Sequence, residues 1–475
     1  MAVMERARNA AAREDWAGAY ALLHEADRHP TGPLGPGDLD VLADSAWWSG
    51  HVDESVAARL RAHAAYVAAG DVRGAGLTAW WLSFEYRHLG RPAAAAGWLR
   101  RARHHLEGRP DGPEQCYLAW ADAEEAEEHH DPAAALAAAR RMTRLAVRAG
   151  SADLLALSRQ AEASVLLAQG RRTEALALLD VAMRPVTAGE LSGVVTGRLY
   201  CLALARCMGA ADLDRVVRWT DAATAWCALP AGRPFRGPCR VHHAEVLDLR
   251  GDWARAEDEA RLVGREVLPD SLGAAAAAAY ALGEIQRRQG RLEEAARSYA
   301  HAHELGRVPQ PGLALLRLAQ GRPDAALAGV RLALACQSDP AHDLLGRARL
   351  LAALTEVSLA LGERSAAADA AEELERLAGA DAPLLAAMAA TARGAVDLAR
   401  GPLRRALALW LELRVPYEAA RVRTLLAAAD RAAGDEEAAR RGLTAARTTF
   451  EHLGATPAAR KATTLLTGAD DPGPT

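Results

Sequence analysis

The amino-acid sequence predicts an all-α fold, a right-handed superhelical solenoid of about twelve stacked helical hairpins. Three columns of small or apolar residues recur at fixed distances from a series of turns that are mostly glycine. Helix-forming residues dominate, and we find no run of alternating β-branched residues long enough for a sheet. The length of 475 residues would suggest about three domains. A solenoid grows by stacking, however, and need not divide in this way.

The segment 275–306 shows the repeat most completely. Its two predicted helices flank a tight turn at Gly290, and the pattern small, small, aromatic, small falls at Gly283, Ala295, Tyr299 and Ala302. This spacing is similar to that of the tetratricopeptide repeat, in which small residues let two helices approach and an aromatic ring fills the gap. We therefore expect Gly283 to lie where the two helices cross. One hairpin cannot bury its own apolar face, so it requires stacked neighbours.

Similar turns are predicted along the whole chain. Their positions are Glu14, Gly50, Gly90, His130, Gly170, Ala210, Gly251, Gly290, Gly321, Gly362, Gly401 and Gly434. The residue seven positions before each turn is small, and the residue five positions after it is small except at Arg215. That exception indicates either an irregular sixth hairpin or a misplaced turn. Segments rich in Pro and Gly, such as 230–238 (PAGRPFRGP), separate hairpins and allow the next helix to begin at a new angle.

The repeat array is expected to cover residues 1–467, and the acidic, Pro/Gly-rich segment 468–475 is expected to be disordered. The net charge of −4 gives no general attraction to nucleic acids or to anionic membranes. We find no apolar run of the signal-peptide or membrane-spanning kind. The six cysteines form no C-x-x-C pair and indicate reduced thiols. The sequence therefore predicts a cytoplasmic protein.

A partner-binding groove is predicted on the first helix of each hairpin, because this helix lines the concave surface of tetratricopeptide arrays. The positions ten, six and three residues before each turn select the candidates Trp47, Trp80, Phe84, Arg87, Trp120, Glu124, Glu127, Tyr200, Glu245, Asp248, Tyr280, Glu284 and Arg287. An aromatic and acidic groove with a few arginines fits a helix of a protein or peptide partner. The alternative interpretation is that the tryptophans fill core space left by alanine.

Catalytic and metal-binding signatures are absent from the sequence. We find no G-x-S-x-G, no P-loop and no H-E-x-x-H motif. Glu125 and His129 share a helix face, but the spacing specifies no third ligand, and zinc sites usually need three or four. The sequence therefore predicts a protein that is not an enzyme and that has no cofactor or metal. An enzyme that uses the irregular segment 189–251 remains an alternative.

Four stretches carry a resemblance to a known family. They are TGRLYC (196–201), PFRGPC (234–239), PGLALLRLAQGR (311–322) and YEAARVR (417–423). With the repeats, they resemble the helical-repeat sensor region of large actinobacterial LuxR-type transcriptional regulators. In that family the array precedes a C-terminal helix-turn-helix that binds DNA, and the array binds an effector or a regulatory partner.

This sequence ends in ADDPGPT, where the family would continue with a helix-turn-helix of the L-T-x-R-E-x-E-V-L type. Direct DNA binding is therefore not implied for this chain, which is either a stand-alone relative of the sensor region or a truncated product. The leading hypothesis is a helical-repeat scaffold that binds a protein or peptide in transcriptional regulation or signalling. A sensor for a small effector is the second hypothesis, and the enzyme described above is the third.

Overall fold

The computed structural model describes residues 2–28, 34–229, 236–266, 272–337, 343–379 and 382–468. Within these residues the chain forms 25 helices and no strand, so the prediction of an all-α helical solenoid is confirmed. All but Gly468 of the predicted disordered tail lies outside the described residues, as does most of the segment 230–238.

The helices form twelve successive pairs and one final single helix. The first twelve are α1 (Ala2–Ala12), α2 (Trp16–Arg28), α3 (Pro36–Ser49), α4 (Val52–Ala69), α5 (Val72–His88), α6 (Pro92–Leu106), α7 (Pro113–Glu128), α8 (Pro132–Ala149), α9 (Ala152–Ala168), α10 (Arg172–Ala188), α11 (Gly193–Gly209) and α12 (Leu213–Cys227). The others are α13 (Arg236–Arg250), α14 (Trp253–Glu266), α15 (Leu272–Gln289), α16 (Leu292–Glu304), α17 (Gly312–Ala319), α18 (Pro323–Ala335), α19 (Leu344–Ala360), α20 (Arg364–Ala378), α21 (Pro383–Asp397), α22 (Arg400–Glu412), α23 (Pro416–Ala432), α24 (Glu436–Leu453) and α25 (Thr456–Thr467).

Local signals explain where many of these helices begin. Eight of the described helices are preceded by a side chain that accepts a hydrogen bond from the backbone N–H three residues later, namely those of Asp15, Asp71, Asp131, Ser151, Asp212, Asp252, Asp343 and Asp435. Proline occupies one of the first two positions of eight described helices, where its missing N–H leaves no hydrogen bond unmade. The hairpins are therefore delimited by their own sequences.

Ten of the twelve predicted turn residues have the left-handed backbone conformation that ends the first helix of a hairpin. Eight of them are glycines, and Glu14 and His130 adopt the same conformation with a side chain. The predicted turn at Ala210 is wrong by one residue, because the left-handed residue is Ala211, with φ 58°. The residue five positions after this turn is then Val216, which is fully buried and apolar but not small, so the sixth hairpin departs from the small-residue column.

The predicted turn at Gly401 is also wrong. Gly401 lies inside α22, and the left-handed residue between α21 and α22 is Leu398, with φ 49°. Glycine is favoured at such a position but is not obligatory. In both corrected hairpins a residue with a side chain makes the turn, so no glycine marks it in the sequence.

The crossing of α15 and α16 is as close as the sequence predicts. A Cβ atom placed on Gly283 would lie 2.6 Å from Cε1 of Tyr299. The Tyr299 side chain is fully buried between this glycine and Gly312 of α17, whose Cβ would lie 2.5 Å from the Tyr299 hydroxyl. The predicted role of Gly283 as the point of closest approach is confirmed.

The described helices fall into two compact units. The first contains the residues up to Ala203 together with the end of α12 from Ala222, and the second contains Leu204–Asp221 and the described residues from Gly237 onward. The assignment of residues 1–467 to a single array stays a prediction.

In the second unit, helices α13–α15 contact helices that lie much later in the chain. The Arg250 guanidinium at the end of α13 donates a hydrogen bond to the Leu413 carbonyl oxygen, 2.8 Å away. The Trp253 ring of α14 lies 5.5 Å from the Tyr417 ring of α23. A buried apolar cluster joins α13–α15 to α23–α25 and contains Leu247, Trp253, Ala256, Ile285, Ala420, Ala446, Phe450, Leu453, Ala455 and Ala462. Some hairpins of this unit therefore contact distant hairpins as well as adjacent ones. In a simple solenoid each repeat contacts only its neighbours.

The first unit contains a smaller contact of the same kind. The backbone N–H of Gly193, at the start of α11, donates a hydrogen bond to Oε1 of Glu14, 2.5 Å away. Glu14 forms the turn of the first hairpin, so this bond joins the first and sixth hairpins across 179 residues of sequence. Long-range contacts thus supplement neighbour stacking in each unit.

Candidate functional site

An aromatic cluster in the first unit contains several of the predicted groove residues. It is made of Trp47 on α3, Trp80 and Phe84 on α5, and Tyr117 and Trp120 on α7. The Trp80 ring lies 5.9 Å from Phe84, 4.6 Å from Tyr117 and 6.2 Å from Trp120, and Trp47 meets Phe84 edge-on at 6.1 Å. These distances are typical of favourable aromatic pairs. The first helices of three successive hairpins therefore present one continuous set of rings.

Most of this cluster is buried. Trp80 is 8% exposed, Phe84 9% and Trp120 6%, whereas Trp47 is half-buried. Burial also raises the pKa of Tyr117 to about 12, because the phenolate would lose its hydration. The three most buried rings therefore contribute to packing. Their predicted role in binding stays a prediction.

A half-exposed ion pair adjoins the cluster. The Arg87 guanidinium donates a hydrogen bond to Oε2 of Glu124, 2.6 Å away, and this pair joins α5 to α7. Glu127, one turn further along α7, is also half-buried. The predicted row of Trp80, Phe84 and Arg87 is thus in contact with the row of Trp120 and Glu124.

Arg198 is a member of this site that the groove positions did not select. It lies on α11, in the sixth hairpin, and its guanidinium carbon is 4.5 Å from the centre of the Phe84 ring and 4.6 Å from that of Trp120. Such distances define cation–π contacts. Its position twelve residues before the predicted turn at Ala210 gave no signal, although it falls within the TGRLYC stretch. Only a contact between the sixth hairpin and the third and fourth hairpins places it here.

In the second unit, several predicted residues meet in an ion-pair cluster of Asp248, Glu284, Arg287, Arg288 and Tyr299. Glu284 accepts hydrogen bonds from the Tyr299 hydroxyl at 2.6 Å and from Arg287 at 2.9 Å. Arg288 donates to Asp248 at 2.7 Å and to Glu284 at 3.2 Å. Asp248, Glu284 and Arg287, which the sequence predicts separately, are thus brought together through Arg288, which it does not predict.

The electrostatics of this cluster are strongly coupled. Burial alone would raise the pKa of the Glu284 carboxyl, but Arg287 and Arg288 outweigh it and lower that pKa to about 2. Burial raises the pKa of Asp248, and the opposing effect of Arg288 is smaller. The charges of this half-buried cluster are therefore paired with one another.

The remaining predicted residues lie beside other groups of their own units. The Tyr280 ring is 5.7 Å from the Tyr299 ring, and the Arg307 guanidinium carbon lies 4.7 Å from the centre of the Tyr280 ring. Glu245 faces His242 on α13, with Oε2 3.4 Å from Nδ1. Tyr200 in the first unit is buried, with its ring 5.9 Å from that of Trp226. None of these contacts identifies a ligand.

The part of the chain that the structure describes contains no candidate metal site and no candidate membrane-spanning helix. In those residues no group of three or more His, Cys, Asp or Glu side chains is arranged to hold a metal ion. Among the described helices, none combines the length and the apolar character needed to cross a bilayer.

Comparisons with known proteins identify no family for this chain. No protein-family model matches it, and no curated protein matches its sequence. Solved structures with a similar course of the chain include Cut9 in an APC/C hetero-tetramer of Cut9 and Hcn1, with a TM-score of 0.47, 13% identity, and coverage of 98% of this chain and 93% of that chain. Human IFIT1, determined as a dimer with m7Gppp-AAAA, gives a TM-score of 0.41, 14% identity, and coverage of 90% and 93%.

Yeast Tom70 gives a TM-score of 0.34 and 13% identity, with coverage of 99% of this chain and 97% of that chain. With TM-scores below 0.5, these similarities assign neither a function nor a ligand to this chain.

Proposed function

We propose that this chain is a non-enzymatic helical-repeat scaffold that binds a protein or peptide partner at the aromatic cluster and the Arg87–Glu124 pair. The observation that carries the proposal is the continuity of the cluster across three successive first helices. Binding hot spots favour Trp, Tyr and Arg that are shielded from water by a polar rim. Here the half-buried Trp47 and the half-exposed ion pair form that rim.

The other predicted binding residues, Glu127, Tyr200, Glu245, Tyr280, Glu284 and Arg287, are secondary candidates. Two of them, Glu284 and Arg287, already bond to each other, and a partner would have to replace that bond. Separating a half-buried ion pair leaves each charge without its partner, which is costly. We therefore place the main contact in the first unit.

The biological role is proposed from the sequence resemblance. We infer that the partner belongs to transcriptional regulation or signalling in the cytoplasm, because the TGRLYC and YEAARVR stretches resemble the sensor region of LuxR-type regulators. A small-effector sensor would instead be stabilised by a metabolite and not by a peptide, which a thermal-shift screen distinguishes. An enzyme using the segment 189–251 would show turnover.

The test uses the exposed pair, because the buried rings cannot separate binding from packing. Proteins captured from the native host by the wild type are compared, by mass spectrometry, with those captured by the double variant Arg87→Ala, Glu124→Ala. Removing an exposed ion pair costs at most about 1 kcal/mol of stability, and the melting temperature verifies this. We expect the variant to lose a specific partner that the wild type retains.

The matched control is Arg331→Ala, Glu363→Ala, which removes an ion pair of similar exposure and a 2.9 Å separation elsewhere on the chain. It should capture the same partner as the wild type. If both double variants retain every wild-type partner, the binding surface is not at Arg87 and Glu124, and the proposal is wrong.

A further inference from the structure

A groove runs along the side of α6 that lies away from its buried residues. Its volume is about 570 Å³, and it extends from residue 94 to residue 104, which is about 15 Å of helix. It is lined by Ala94, Gly97, Trp98, Arg100, Arg101 and His104. The helix α6 is the second helix of the third hairpin, whereas the aromatic cluster lies on first helices. This groove is therefore a separate surface of the first unit.

The rim of the groove is positively charged. The helix α6 contains three Arg and two His but no Asp or Glu. Arg103 donates hydrogen bonds to Asp122 and Glu125 of α7, so its charge is balanced within the fold. Arg100 and Arg101 are exposed and form no ion pair with any carboxylate that the structure describes. Two unbalanced positive charges therefore border the groove.

The apolar part of the groove is formed by a floor and one wall. Ala94 and Gly97 make the floor, where the side chains are small. Trp98 makes the wall, and its ring lies 5.0 Å from the ring of His63 on α4, in an edge-on contact. The Arg101 guanidinium carbon lies 4.3 Å from the centre of the same ring. These contacts hold the wall in place before any partner binds, which lowers the entropic cost of binding.

We propose that this groove binds an acidic, amphipathic helix of a partner protein. Small residues in the floor let a second helix approach closely. Apolar side chains of that helix would lie on the floor and against Trp98, as in other complexes in which a helix occupies a groove. Its carboxylates would pair with Arg100 and Arg101. The length of the groove matches about three helical turns.

The same observations favour a protein helix over a nucleic acid. The chain has a net charge of −4, which gives a polyanion no general attraction. A nucleobase binds such a site by stacking on an aromatic ring. Here the Arg101 guanidinium already lies over the Trp98 ring. The apolar floor also has no role in holding a phosphate backbone.

This inference goes beyond the proposed function, because the groove and the aromatic cluster share no residue. Variants at the groove leave Arg87 and Glu124 unchanged. The two proposals can therefore fail independently.

A variant that fills the groove provides the first test. A Cβ atom at Gly97 would lie 3.9 Å from Nη2 of Arg100, its nearest neighbour, so Gly97→Leu places a side chain in the groove without a clash. Leucine is also a better helix former than glycine, so the melting temperature should not fall. The control is Gly264→Leu on α14, where no atom lies within 4 Å of the added Cβ.

The probes are helical peptides of about four turns, selected from a phage-displayed library on the full wild-type chain. Clones that also bind Gly97→Leu are removed first, so that only ligands of the groove remain. Fluorescence anisotropy then measures the affinity of each selected peptide. We expect the selected peptides to combine apolar residues with several Asp or Glu residues, and Gly264→Leu to bind them as the wild type does.

Charge variants provide the second test. Replacing both arginines, as Arg100→Gln, Arg101→Gln, should weaken binding of the selected peptides by about three- to tenfold, and added salt should reduce the difference. The control is Arg404→Gln, Arg405→Gln, which removes an exposed, adjacent arginine pair on α22. That pair also forms no ion pair within the described residues. Its affinity for the peptides should equal that of the wild type.

Three results would overturn the inference. The first is that no selected peptide distinguishes the wild type from Gly97→Leu. The second is that the selected peptides are neutral or basic, or bind equally well after Arg100→Gln, Arg101→Gln. The third is that a single-stranded oligonucleotide binds more tightly than the peptides and is displaced by Gly97→Leu, which would identify the groove as a nucleic-acid site.

Discussion

The two units differ in how they hold distant hairpins together. In the first unit a hydrogen bond from Gly193 to Glu14 joins the first and sixth hairpins, and the Arg198 guanidinium lies against the rings of Phe84 and Trp120 in two intervening hairpins. In the second unit a buried apolar cluster around Trp253 joins distant hairpins, and the neighbouring charges are paired. Apolar burial scales with area, whereas one hydrogen bond contributes little net free energy.

We therefore expect the apolar cluster to stabilise the long-range contacts of the second unit more than the hydrogen bond stabilises those of the first. In the first unit the Arg198 guanidinium lies against the Phe84 and Trp120 rings. Substitutions at these long-range contacts, the Trp253 cluster and the Gly193–Glu14 hydrogen bond, should therefore change the free energy of unfolding by different amounts.

The largest effect is expected from Trp253→Ala in the second unit. Trp253 is 2% exposed, so its removal should lower the free energy of unfolding by about 3–5 kcal/mol. Urea denaturation measures the change. The control is Trp98→Ala on α6, where the ring is only half-buried and the loss should be clearly smaller. Equal losses of unfolding free energy in the two variants would show that the apolar cluster around Trp253 contributes nothing beyond ordinary packing.

The free energy of unfolding should depend on pH through the Glu284 carboxyl of the ion-pair cluster. Its pKa is about 2 in the folded protein and 4.5 in the unfolded reference, so its contribution is fully present above pH 4.5. That contribution should be lost as the pH falls from 4.5 to 2. Unfolding free energies of the wild type and Glu284→Gln should therefore differ most near pH 6 and converge toward pH 2. Parallel curves would contradict the assigned ion pairs.

Overpacking at the α15–α16 crossing should have a moderate effect. Gly283→Leu forces a side chain against Tyr299 and should cost about 1–3 kcal/mol. Gly273→Leu is the matched control, because it lies on the same helix and no atom lies within 4 Å of its added Cβ. Thermal melting should separate the two variants. An unchanged melting curve for Gly283→Leu would mean that the helices can move apart freely.

The smallest effect is expected at the hydrogen bond between Gly193 and Glu14 in the first unit. Glu14→Gln keeps the shape of the side chain and an acceptor oxygen, but it removes the negative charge that strengthens the hydrogen bond from the Gly193 N–H. The expected loss is about 0.5–1.5 kcal/mol, and hydrogen exchange at Gly193 should become faster. A loss as large as that of Trp253→Ala would remove the contrast between the units.

Much of the site follows from the sequence because its members share one helical register. The spacing from Trp80 to Phe84 and Arg87, and from Trp120 to Glu124, places each row on one helix face. Equivalent positions in successive hairpins then bring the rows together, as the Arg87–Glu124 bond shows. The burial of the Trp80, Phe84 and Trp120 rings could not be predicted from the sequence, because neighbours from several hairpins determine it.

The sequence by itself determined the helical hairpins, their N-terminal caps, ten of the twelve turns and the close approach at Gly283. These features depend on residues within one hairpin or in adjacent hairpins. The tertiary structure decided the turns at Ala211 and Leu398, the placement of Arg198 and the contacts that close each unit. Such contacts depend on small rotations that accumulate over several hairpins, and no single residue or local pattern encodes their sum.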